Sequence, residues 1–175
     1  RYNAFYHPFF AIKFTFPEGW DLDNLPDRLI IRNNNSEVTM ISDNLLRDDI
    51  ENGLTPKDYL DQNIDKTSFL ARNTLLEQKN INSGLPGYTY LYETKALSEK
   101  SYTRYTVFFD IDDNDKKPKA WIFIKKFNEV NDDNQLKIID ETFAKMTKDE
   151  IAKAKGLRIK VIRFRSGMSY NDLAN

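Results

Sequence analysis

One histidine, His7, and no cysteine occur in these 175 residues. A two-histidine HExxH zinc site or a three-histidine site needs imidazoles this chain does not have. Disulfides, thiolate zinc sites and cysteine nucleophiles are excluded together. A Ser-His-Asp arrangement would have to recruit His7, which stands before Pro8 at the mouth of a strand with no local serine, so a structural or surface role is expected for it. Asp110-Ile111-Asp112-Asp113-Asn114-Asp115 places oxygen ligands at the first, third and fifth positions of an EF-hand-like loop. The match then fails: Asp115 stands where the loop needs glycine and Trp121 where it needs the bidentate glutamate. A solvated turn between two strands is the expectation. A carboxylate-only hydrolase needs neither histidine nor cysteine, and composition leaves that class open.

Six basic residues and no acidic one lie between Lys153 and Arg165. Nucleic-acid binding would want stacking aromatics on the same surface, and only Phe164 is near, so a solvated edge or a contact with a neighbouring domain is expected. Tyr88, Tyr90 and Tyr92 recur at strand period, and with Trp20 they are the candidate partner-binding residues, since such rings join a large apolar area to a polar tip. The same spacing fits core tyrosines packed under a helix with their hydroxyls at its rim. No catalytic residue and no metal ligand is assigned.

The elements that must position these groups belong to one ordinary domain with a short remainder. Lys and Arg total 26 against 27 Asp and Glu, a net charge of −1, which gives no global pull toward nucleic acid or an anionic membrane. The longest apolar runs fall far short of the ~20 residues that span a bilayer. The chain starts at Arg1 with no signal-like segment, so a processed protein or an excised segment is expected.

Ile12, Phe14 and Phe16 alternate with Ala11, Lys13 and Thr15, a half-buried strand closed by Pro17 and Gly19. Leu29 to Ile31 and Val38 to Ile41 flank the hairpin turn Asn33-Asn34-Asn35-Ser36. Thr55, Pro56 and Asp58 predict a capped helix that buries Leu60 and Ile64. A β-like stretch follows from about Ser68 to Ile81, ending at Ser83-Gly84-Leu85-Pro86-Gly87. Three consecutive strands of an antiparallel meander come next: one with Tyr88, Tyr90 and Tyr92 on one face, one with Tyr105, Val107, Phe109 and Ile111, and a central strand Ala120 to Ile124. Asn131-Asp132-Asp133 is read as a cap, and Leu136, Ile139, Phe143 and Met146 as the apolar stripe of the helix it opens. Thr147 and Glu150 predict a short polar helix ending at Gly156.

Two sets of residues carry a resemblance. His7-Pro8, Phe14-Thr15-Phe16-Pro17-Glu18-Gly19-Trp20 and Ile81-Asn82-Ser83-Gly84-Leu85-Pro86-Gly87 resemble the C-terminal accessory region of bacterial HExxH zinc metallopeptidases related to BepA and HtpX. Residues Leu157 to Ala174 are similar to the opening strand and turn of a LysM-like module, with Ser166, Met168 and Ser169 where its proline, aspartate and threonine would stand. The body also resembles PsbP-like and DcrB-like domains.

The fold this implies is α+β, a mainly antiparallel twisted sheet flanked by helices. It would comprise an accessory domain over residues 1–146, a helical linker over 147–156 and a truncated LysM-like module over 157–175. The resemblance implies a noncatalytic docking domain, in the periplasm or envelope of a bacterium, that binds protein or peptide, foremost its own peptidase domain. Zinc and catalysis would belong to a zinc metalloendopeptidase domain upstream of Arg1, with no cofactor in this chain. The alternative is a free-standing PsbP-like or DcrB-like envelope binding or assembly protein without enzymatic activity.

Overall fold

The computed structural model describes residues 1–64, 72–95, 99–111 and 117–154. The LysM-like stretch, most of the basic run and residues 112–116 of the aspartate-rich turn lie outside the described residues.

Among the described residues, ten strands and three principal helices follow in the order β1 (Tyr2–His7), β2 (Ile12–Pro17), β3 (Asp21–Asn24), β4 (Leu29–Arg32), β5 (Glu37–Asn44), α1 (Arg47–Glu51), α2 (Pro56–Asn63), β6 (Asn73–Asn82), β7 (Pro86–Lys95), β8 (Lys100–Asp110), β9 (Lys119–Phe127), α3 (Val130–Thr142) and β10 (Ala144–Lys145). A short helix spans residues 148–154. Every strand pair is antiparallel. Seven strands form one sheet in the order β3-β4-β5-β9-β8-β7-β6, and β1-β2-β10 form a second. The expected α+β class, with antiparallel sheets and flanking helices, is the observed one.

The large sheet is covered on both faces. On one side Val38, Met40, Phe108, Trp121 and Phe123 meet Leu136 and Ile139 of α3 and Ile12, Phe14 and Phe16 of β2. On the other, Val107, Phe109, Ala120 and Ile122 meet Tyr59 and Leu60 of α2. This explains why Ala120 to Ile124 is apolar at every position: β9 sits inside the sheet with a layer on each face.

The expected caps and turns are formed where short-range chemistry sets them. Thr55 Oγ1 accepts from the Asp58 amide at 3.1 Å while Asp58 Oδ2 accepts from the Thr55 amide at 3.0 Å, with Pro56 in the first turn. Asn33 Oδ1 accepts from the amides of Asn35 and Ser36, closing the β4–β5 hairpin. Thr147 and Glu150 form the second reciprocal cap.

Helix α3 departs from the sequence expectation at both ends. Asn131, Asp132 and Asp133 lie inside the first turn of α3, whose N-cap is Glu129, because Asp133 is drawn inward to Arg104 and Asp132 accepts from Ser36 Oγ at 2.6 Å. The helix also stops at Thr142. Phe143 turns to extended backbone, and β10 follows it on β2, so Phe143 and Met146 reach the core from beyond the helix end.

Candidate functional site

The tyrosine stripe lies beneath α2. Tyr88, Tyr90 and Tyr92 are each less than a tenth exposed. Tyr90 donates to Asp61 Oδ1 at 2.6 Å, and Tyr88 to Gln78 Oε1 at 3.3 Å. Burial and the bond to Asp61 push the Tyr90 phenol up to about 12. Trp20 is equally buried but belongs to the other core, across the sheet. The four rings therefore form no common surface, and none is presented to solvent.

Between the large sheet and α3 lies a group of buried charges. Arg104, 2% exposed, donates through Nε and Nη2 to both oxygens of Asp133 at 2.8 Å each. Its Nη2 also reaches Glu77 at 2.6 Å, and Nη1 reaches Thr89 Oγ1 at 3.1 Å. Thr89 and Thr106 share a hydrogen bond at 3.0 Å, and Thr106 passes one to Asp140. Lys125 Nζ closes the chain, 2.8 Å from Asp140 and 3.1 Å from the Leu136 carbonyl. Burial lowers the Lys125 pKa against the opposing pull of Asp140. Hydrogen bonds from Lys79 and Arg104 lower the Glu77 carboxyl to about 2. Each charge here is answered by another, so the network fixes α3 on the sheet.

Other acidic groups are likewise committed to structure. Asp110 accepts from Lys145 at 2.6 Å, Asp58 caps α2, and Asp61 holds Lys57 at 2.7 Å as well as Tyr90. Among the described residues, no group of three or more His, Asp or Glu side chains is placed to hold a metal ion.

The β1–β2 turn differs from all of these in what it displays. His7 Nδ1 accepts from the Phe10 amide at 3.3 Å, a structural role of the kind expected. Ala11 takes a positive φ of 55°, sparsely populated for a residue with a Cβ. It is held there by burial and by its carbonyl, which accepts from the Met146 amide at 2.6 Å. The result is an outward turn with Phe9 80% exposed at its tip. Behind it, Phe10 stands edge-on to Trp121 at 5.4 Å between centroids, with Lys119 Nζ 5.2 Å from the Phe10 ring.

A cleft of about 280 Å³ opens beside this turn. His7 and Phe10 form one wall and the β3–β4 turn, Leu25 to Arg28, the other. Ser42 of β5 and Trp121 of β9, direct partners in the sheet, form the floor with Met40. Trp121 is 2% exposed, and its indole Nε1 has no hydrogen-bond partner. Phe9, Phe10 and Trp121 were not picked out from the sequence as binding residues. The available signal was two phenylalanines following a proline in a turn, where polar residues are the rule.

The fold of this chain is similar to that of a solved structure. LpqN, whose structure is described as "involved in cell envelope biogenesis of Mycobacterium tuberculosis", is similar to this chain with a TM-score of 0.57. The match covers 84% of this chain and 91% of LpqN at 9% identity. It establishes a shared fold. A structure from Bacteroides thetaiotaomicron matches 84% of this chain and 49% of its own, at 7% identity and a TM-score of 0.49. No family model matches the chain, and no curated protein sequence matches it.

Proposed function

We propose that this chain is a noncatalytic docking domain of a bacterial cell-envelope protein, engaging a protein or peptide partner through the β1–β2 turn and the cleft beside it. The observation that carries this reading is the outward display of Phe9 on a turn pinned from behind. A phenylalanine 80% exposed, two residues before an alanine in a costly backbone conformation, is the opposite of what core packing would select. By contrast, Trp20 and the tyrosine stripe serve the two cores, and Arg104, Asp133, Lys125 and Asp140 serve the buried network. The LpqN-like fold supports an envelope setting, because LpqN is itself an envelope-biogenesis protein.

Two contexts fit the domain. The Phe14-to-Trp20 and Ile81-to-Gly87 motifs support an accessory domain attached to a zinc metalloendopeptidase, with the peptidase domain as its first partner. The coverage of LpqN supports a free-standing envelope binding or assembly protein, since this one fold accounts for 91% of that chain. Translating the reading frame upstream of Arg1 separates them: an HExxH-bearing domain selects the first and its absence the second. Fractionation of the native protein tests what both share. Recovery with the periplasmic or membrane fraction is expected, and recovery with the cytosol would overturn the envelope reading.

A further inference from the structure

The geometry points to the cleft between the β1–β2 and β3–β4 turns as a binding site for one apolar side chain of an extended peptide, whose main-chain carbonyl accepts from Trp121 Nε1. The inference rests on the docking reading above and names the chemistry of its partner.

Three features select this occupant. First, Trp121 is one of the residues that line the cleft, and its indole N–H is buried without an acceptor, an unmade hydrogen bond of a kind that is costly to keep. A pure hydrocarbon would leave it unmade, whereas a peptide carbonyl satisfies it. Second, at about 280 Å³ the cleft lies below the ~300–1,000 Å³ typical of pockets that enclose drug-sized ligands. It has room for one side chain and its peptide group, and none for a nucleotide or a long acyl chain. Third, the walls and floor are apolar at Phe10, Leu25 and Met40, while Asp27 and Arg28 set both charge signs at the rim. That mixture suits the alternating dipoles of a main chain better than it suits an ion. Nε1 is shut off from solvent and Phe10 stands edge-on to the indole, so the proposed contact requires a side chain at this wall, Phe10 foremost, to shift as the peptide enters.

The indole N–H itself reports the outcome. Trp20 and Trp121 are the two tryptophans of the chain, so ¹⁵N-labelled protein shows two indole cross-peaks, assigned with Trp20→Phe and Trp121→Phe. Titration with N-acetyl-leucine methylamide is expected to move the Trp121 peak downfield and leave that of Trp20 in place. The glycine analogue should bind at least about tenfold more weakly, the loss expected for a leucine side chain left unburied. Ser42→Ile fills the cleft from the strand position opposite Trp121 and should abolish the shift while the remaining spectrum stays folded. An unmoved Trp121 peak, equal responses to the two probes, or an unchanged shift in Ser42→Ile would each overturn the inference. Cytosolic recovery of the native protein would instead overturn the envelope reading alone, leaving the cleft chemistry to stand or fall on the titration.

Discussion

Arg104 carries more of the buried polar interactions than any other single side chain in the described structure. Its guanidinium serves Asp133, Glu77 and Thr89 at once, and the burial of both Arg104 and Asp133 leaves no water to take over between them. Desolvation opposes its charge, but the bonds to Asp133 and Glu77 outweigh it and hold the group firmly protonated. Removing one partner of such a pair leaves the other charged in a dry site. Arg104→Met is therefore expected to lower the unfolding free energy by about 3–5 kcal/mol, and adding Asp133→Leu to restore most of it. Urea titrations of the two variants check this. A single-variant cost of about 0.5 kcal/mol, the size of an ordinary surface change, would show that the network does not hold α3. Strand alternation already sets Arg104 opposite Tyr105 and Val107. Its burial was not legible, because the helix that covers it starts some 25 residues later in the chain.

At the scale of elements, legibility follows the range of the interactions. The capping boxes at Thr55 and Thr147, the Asn33 turn and the three-strand meander depend on neighbours in sequence and are found as read, except that β8 ends at Asp110 and leaves Ile111 exposed beyond it. Strands β1 and β3 were missed, since both are sheet-edge strands with few buried positions and so lack the alternation that marks a strand. Helix α3 was found but its ends were misplaced, because ion pairing at Asp133 and the pairing of β10 on β2 override local signals. The Gly84-to-Gly87 motif has a structural cause at its last residue. A Cβ on Gly87 would stand 2.7 Å from the Val107 carbonyl and 2.8 Å from Phe108 Cδ1. Gly87→Ala is accordingly expected to cost about 1–3 kcal/mol through displacement of β7 from β8, read as a lower urea midpoint. An unchanged midpoint would mean that the strands separate there without cost.

For the whole molecule, the layers explain why the display lies where it does. The large sheet is covered by α2 on one face and by α3 with the small sheet on the other, which removes Trp20 and the tyrosine stripe from solvent. The β1–β2 turn projects from the small sheet across the end of β9, where Phe10 meets Trp121 more than a hundred residues away in sequence. That distance is why the residues of this turn could be read as a strand opening but not as one wall of a cleft. Docking through the turn is tested most directly by replacing Phe9 with photoreactive benzoylphenylalanine in the native protein, with Leu76 on the far edge strand β6 as the control position. Irradiation in intact cells should give a discrete protein adduct from position 9 and none from position 76. No adduct from position 9, or the same adducts from both positions, would contradict a docking role for this turn.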